Sequence, residues 1–165
     1  DRKMKNVKIE LKWATLFTVV ALLWMVLEQR CGMHDKYIDY HMYYTNLFAI
    51  PAIALIVMAL RNKKKDFYGG AMRYNQGLVS GTILSVFIAL LSPISQWITS
   101  YVITPAYFPN VIKRSVELGY YSSIAEAEAF FNSKSYAIQG AVGALVMGII
   151  TTAIAMIFIR TRPMK

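Results

Sequence analysis

The sequence predicts an all-α integral membrane protein: four transmembrane helices, both termini cytoplasmic, and a short helical outer loop between the third and fourth spans. Two observations carry the prediction. Of 165 residues, 56% are hydrophobic and only 16% are charged, and the mean hydropathy is +0.41, a balance that belongs to membrane proteins. The charged residues also cluster, so that Trp13–Leu27, Tyr40–Leu60, Tyr74–Ile112 and Ser135–Ile159 contain no Asp, Glu, Lys or Arg.

A hydrocarbon core of roughly 30 Å takes ~20 helical residues, and the last three stretches are long enough unaided. The first is short and needs Leu11 and Lys12, whose ammonium reaches the headgroups while its methylenes stay in lipid. A soluble domain of this size needs a charged outer surface, and four such stretches leave none. The spans are placed at about 11–28, 41–60, 75–101 and 136–159, with the outer loop at 104–134, in one membrane domain over residues 4–165. Asp1–Lys3 reads as an expression remnant ahead of a start at Met4.

Orientation follows from the basic residues. Arg2, Lys3, Lys5, Lys8 and Lys12 precede span one; Arg61, Lys63, Lys64, Lys65 and Arg73 link spans two and three; Arg160, Arg162 and Lys165 end the chain. These are thirteen of the 18 basic residues, and positive residues stay in the cytoplasm. Topology therefore explains the net charge of +9, and no recognition fold points to nucleic acid. The run Lys63-Lys64-Lys65 is also suited to anionic lipid headgroups.

Span one is not a cleaved signal, because Leu27-Glu28-Gln29-Arg30-Cys31 offers no small-x-small cleavage site. Cys31 is the only cysteine, which excludes an internal disulfide. In span two, Pro51 removes one backbone donor and crowds the carbonyl of Leu47, predicting a kink, with Thr45 or Asn46 placed to bond the freed carbonyl. Pro93 predicts a second kink in span three, and the continuation of that helix to Tyr101 or Ile103 is left open. In the outer loop, Pro109 and Gly119 bracket a helix from about Asn110 to Leu118. Ser123-Ile124-Ala125-Glu126 has capping-box spacing, opening a second helix with Ile124, Ala127, Phe130 and Phe131 on one apolar face.

Small residues recur at Gly77 and Gly81 in span three and at Gly140, Ala144 and Gly148 in span four. Spaced four apart, they form flat stripes that admit close backbone approach, between helices of one chain or of two. Tyr74-x-Gln76-Gly77 and Tyr136-x-x-Gln139-Gly140 echo each other with unequal spacing; tyrosine at an interface explains both.

Residues with chemistry are few. Asn46, Gln96 and Gln139, with Glu28 at the end of span one, are the candidates to line a polar cavity. Glu28, His34, Asp35, Asp39 and His41 are of metal-ligating type, but they lack the paired spacing of a strong metal motif, so the reading is a hydrated loop and no metal. No nucleophile stands with a base and an orienting group, and no charged residue occupies the middle of a span, where pumps and proton-coupled transporters place one. The expectation is no catalytic residue, no cofactor and no enzyme.

The segments Tyr43-Tyr44-Thr45-Asn46-Leu47-Phe48-Ala49-Ile50-Pro51, Tyr74-Asn75-Gln76-Gly77, Thr104-Pro105 and Ala125-Glu126-Ala127-Glu128-Ala129-Phe130-Phe131 resemble domain-of-unknown-function family 4199. These are small four-span inner-membrane proteins typical of Bacteroidetes, and the likeness covers nearly the whole chain from Met4. The resemblance implies a four-span bundle in the bacterial inner membrane, and an accessory role in envelope assembly beside glycosyltransferases acting on lipid-linked sugars. The functional expectation is a non-catalytic accessory or scaffold subunit. Its partners would be membrane lipids and either a second copy or another membrane protein. The alternative is a small oligomeric transporter or lipid-handling protein.

Overall fold

A computed structural model describes residues 2–161, with side chains from residue 7 onward. The side chains of Arg2, Lys3 and Lys5, all of Arg162 and Lys165, and the reading of Asp1–Lys3 as a remnant lie outside the described residues. Among these residues the regular structure is all helical, with α1 Arg2–Arg30, α2 His41–Asn46, α3 Ala49–Asn62, α4 Tyr74–Ile98, α5 Tyr107–Glu117, α6 Ile124–Phe130 and α7 Ser133–Ile159 as its α-helices. Four stretches are long and apolar enough to cross a membrane: Val7–Arg30, Ile38–Phe67, Tyr74–Ile103 and Ile124–Ile159. At most 33% of any of them is buried within the protein. Leu23, Ile50, Leu90 and Phe158 are all more than half exposed, a surface that hydrocarbon accepts and water does not.

Span two is interrupted where a kink was expected. α2 ends at Asn46, Leu47 and Phe48 form a turn, and α3 begins at Ala49, so Pro51 falls in the first turn of a new helix, where its missing N–H costs nothing. The amides of Leu47 and Phe48 bond back to the carbonyls of Tyr44 and Thr45 at 3.1 Å each. Thr45 does not serve the freed carbonyl of Leu47; its hydroxyl is committed to Glu28. Helix α4, in contrast, runs through Pro93 to Ile98 and continues as a π turn over Thr99–Ile103.

The chain forms two compact units. The first comprises the described residues through Thr18, Ala49–Leu91 and the described residues from Ala141 onward. Its core gathers Trp13, Ala14, Ile56, Leu60, Met72, Leu84, Ile88 and Met156. Here the small-residue stripes of α4 and α7 face each other. A Cβ on Gly77 would lie 2.2 Å from Met156 Sδ, one on Gly81 would lie 2.2 Å from Thr152, and one on Gly148 would lie 2.2 Å from Ser85 Oγ. Ala144 packs against the same core.

The second unit comprises Val19–Phe48 and Ser92–Gly140, where a Cβ on Gly140 would meet Ser92 Oγ at 3.2 Å. Helix α5 starts at Tyr107, three residues before its predicted start, and ends at Glu117, one residue before its predicted end, with Leu118 as its cap. Gly119, at φ +76°, turns the chain while its amide and that of Tyr120 bond the carbonyls of Val116 and Ser115. The capping box before α6 is half realised. Ser123 Oγ accepts from the Glu126 amide at 3.2 Å, but the Glu126 carboxylate accepts from the amide of Ser122, one residue earlier than expected. On the apolar face of α6, Ala127 is buried and Ile124 and Phe130 stay exposed.

The close approach of α4 and α7 yields a paired prediction. Gly81→Ala sets a methyl against Thr152 and costs about 1–3 kcal/mol, whereas Gly143→Ala points into open space and is neutral or stabilising by up to about 1 kcal/mol. Thermal unfolding in detergent should give the first variant a midpoint several degrees lower and leave the second unchanged or raised; equal midpoints would refute the packing.

Candidate functional site

The second unit contains a buried polar cluster assembled around the last turn of α1. Three amide-to-carbonyl bonds end that helix: Cys31 to Leu27, Gly32 to Gln29 and Met33 to Glu28. Gly32 adopts φ +77°, a left-handed conformation that glycine alone takes without strain. The chain reverses there, and the Tyr37 amide returns to the Gly32 carbonyl at 2.8 Å. His34 is thereby folded back over the helix end it has just left.

Glu28 is the centre of the cluster and is only 3% exposed. Its Oε2 lies 3.1 Å from His34 Nε2 and 3.3 Å from His41 Nδ1. Trp24 Nε1 donates to Oε1 at 2.6 Å, and the Thr45 hydroxyl lies 2.8 and 3.0 Å from the two oxygens. Three elements contribute: α1, the turn after it, and α2. Trp24 reaches Glu28 because residues four apart share a helix face, and His41 and Thr45 meet it for the same reason.

Tyr107 closes the cluster from α5. Its ring lies 5.2 Å from that of His34 and 5.0 Å from that of His41, and the two imidazoles sit 4.9 Å apart edge to face. The Tyr107 and Tyr136 hydroxyls are 2.9 Å apart. Burial, with Tyr136 beside it, pushes the Tyr107 phenol far above its ordinary range, so it stays a neutral hydrogen-bonding group. Asn110 secures the loop by donating to the His34 carbonyl at 3.0 Å.

His41, Thr45, Tyr107 and Tyr136 also line an open cleft of about 620 Å³. Met42, Tyr43, Val111, Leu118, Phe130 and Phe131 supply its apolar side, and Asp39, Arg114 and Gln139 its polar side. Arg114 grips Asp39 with two bonds, of 2.8 and 2.7 Å. That carboxylate, with Glu117 nearby, holds the guanidinium above its already high range.

Of the four residues expected to share a polar cavity, only two approach this region. Glu28 is the buried centre and Gln139 lines the cleft, its amide bonded to Ser135 Oγ at 3.0 Å. Gln96 bonds Ser100 Oγ, one helical turn on, at 2.8 Å, and Asn46 is exposed at the end of α2. Local helix bonding accounts for Gln96, and the break after Asn46 for Asn46. Among the five metal-type residues, Glu28, His34 and His41 come together, whereas Asp35 accepts from the Lys36 amide and Asp39 pairs with Arg114. The signal available was that the only two histidines follow a carboxylate that ends a span.

Residues 12–161 match the family described as Protein of unknown function (DUF4199). The chain belongs to that family. No curated protein and no solved structure matches it. In this DUF4199 member helix α1 buries a carboxylate on each side of its uncharged stretch.

The second carboxylate, Glu10, belongs to the first unit. It is 2% exposed and lies 2.9 Å from Lys63 Nζ, itself 2% exposed, and Ser80 Oγ donates to it at 2.6 Å. Lys63 Nζ also stands 4.1 Å above the Phe67 ring. The basic run is therefore not one solvated face: Lys63 is buried against Glu10, Lys64 bonds the Ile159 carbonyl at 2.7 Å, and Lys65 is exposed.

Removing one member of a buried pair strands the other charge. Glu10→Gln is expected to cost about 3–5 kcal/mol, whereas the double change Glu10→Met with Lys63→Met restores most of that loss. Thermal midpoints of the three proteins in one detergent check it; a double variant no better than the single one would contradict the pairing.

Proposed function

We propose that this DUF4199 member is a non-catalytic lipid-handling protein of the bacterial inner membrane, with both ends in the cytoplasm, whose cleft holds a membrane lipid by its head. The supporting observation is the division of the cleft lining. Phe130, Phe131, Leu118 and Met42 form an apolar wall, while Tyr107, Tyr136, Gln139 and His41 offer hydrogen bonds. Its volume of about 620 Å³ falls within the roughly 300–1,000 Å³ of small-ligand sites. Met42 and Tyr43 belong to the second apolar stretch, which favours an occupant already in the bilayer. Arg114 is matched by Asp39, so the head that suits the cleft is neutral and hydroxyl-bearing.

The small-residue stripes meet side chains of their own chain, so they give no support to a scaffold built on them. An accessory role in envelope assembly fits this reading as the presentation of a lipid to a neighbouring enzyme. The polar groups of the cleft then serve recognition, and no bond is made or broken there.

Val111→Trp fills the cleft from α5. Lipid extraction and mass spectrometry of the detergent-purified full chain should find one lipid class enriched over the bulk membrane in the natural protein and not in the variant, with equal thermal midpoints. Bulk composition in both would rule the reading out.

Sidedness has its own test, since Cys31 is exposed and is the only cysteine. A membrane-impermeant maleimide should label it in intact spheroplasts. A cysteine at Lys65, in a Cys31→Ser background, should react only after permeabilisation; the opposite pattern inverts the topology.

A further inference from the structure

We infer that Glu28, His34 and His41 form a binding site for one divalent transition-metal ion, zinc being the chemistry they suit best. The inference goes beyond the lipid reading and does not depend on what fills the cleft. Two imidazoles and a carboxylate are a ligand set for zinc, with a fourth position left to water or a small ligand. One donor atom from each of the three lies within 4.8 Å of the others.

The finer geometry agrees for the two pairs that include Glu28. Ligands held at about 2.0–2.1 Å around a tetrahedral zinc lie about 3.3 Å from each other. Glu28 Oε2 stands 3.1 Å from His34 Nε2 and 3.3 Å from His41 Nδ1. His41 Nδ1 is buried and faces that oxygen at ion-pair distance without hydrogen-bond geometry. A nitrogen this close to a carboxylate oxygen, without the angle of a hydrogen bond, is placed as a co-ligand would be.

The surroundings are those of a metal centre as well. Trp24 Nε1 and the Thr45 hydroxyl donate to the Glu28 carboxylate, and such outer bonds fix the orientation of a ligating group. His34 is held by the Gly32 reversal and by Asn110 on its carbonyl. His41 and Thr45 line the cleft, which gives the ion a way in and opens the fourth position there. The buried Glu10, Lys63 and Ser80 group supplies a contrast: an ammonium occupies the place an ion would take.

The test uses the full chain, purified in detergent with a tag free of histidine and stripped with a chelator. Titration with Zn²⁺ alone should show one saturable equivalent, and Co²⁺ should give the intense visible absorption of a tetrahedral site. His34→Gln and His41→Gln should each weaken binding at least tenfold, while Asp35→Asn and Asp39→Asn bind as the natural chain does. Should a histidine variant fail to fold, the natural protein still decides the matter. With only two histidines in the chain, Zn²⁺ should protect both from acylation by diethylpyrocarbonate, read by mass spectrometry. Absence of a saturable equivalent, undiminished binding in the histidine variants, loss in the aspartate variants, or unprotected histidines would each overturn the assignment.

Discussion

A carboxylate at the edge of hydrocarbon must be fully partnered or neutralised, and helix α1 carries one on each side of its uncharged stretch. Desolvating an ionised group costs several kcal/mol unless charge and hydrogen bonds replace the lost water. Glu10 meets that demand with Lys63 and Ser80, and Glu28 with His34, His41, Trp24 and Thr45. Glu10 recruits residues distant in sequence and Glu28 residues within the next turn and helix, and so each unit acquires a fixed polar centre beside its apolar packing. The rest of the first unit can then be built from bare contact: α4 and α7 approach until Gly77, Gly81 and Gly148 leave no room for a methyl group, which is how helices associate when lipid provides no hydrophobic drive.

The spans were legible because they follow from composition and length. So were the ends of α5 and α6, where Gly119 and Ser123 act through backbone geometry within a few residues of themselves. Pro51 was legible as a disturbance but not as a break, since the sequence does not say whether the helix before a proline bends or restarts. Lys63 was the larger surprise. Read among Lys64 and Lys65 it belongs to a solvated run; whether one lysine of such a run turns inward depends on the π turn at Lys63–Phe67 and on Glu10, more than fifty residues earlier. The echo of Tyr74 and Tyr136 is likewise resolved by distant partners: Tyr74 bonds the Ala153 carbonyl and Tyr136 bonds Tyr107, two unrelated tasks.

The histidine cluster was half visible. Five residues of the right type were apparent between Glu28 and His41, yet periodicity could not choose among them, because they lie across a helix end, an irregular turn and a new helix. The selection is made by Gly32. Its reversal points His34 back at Glu28 and leaves Asp35 to bond the next amide along the chain. Asp39 is removed from contention by Arg114 of α5, 75 positions away. A rule based on fixed ligand spacing finds sites built on regular elements, and this one is built on a chain reversal.

The two polar centres differ in a way that separates structure from function. Glu10 and Lys63 neutralise each other, with Ser80 bonded to the carboxylate, and buried pairs of this kind are often replaceable by apolar side chains without loss. Glu28 is surrounded by more than neutrality requires: two imidazoles, an indole and a hydroxyl converge on one carboxylate, and imidazole nitrogens of both His34 and His41 are buried without a hydrogen-bond partner. An unpartnered buried polar atom lowers stability, and Thr152 Oγ1 carries the same cost within the helix packing of the first unit. What sets this centre apart is its position beside a cleft lined by His41 and Tyr107, from which the proposed ligand set would be reached.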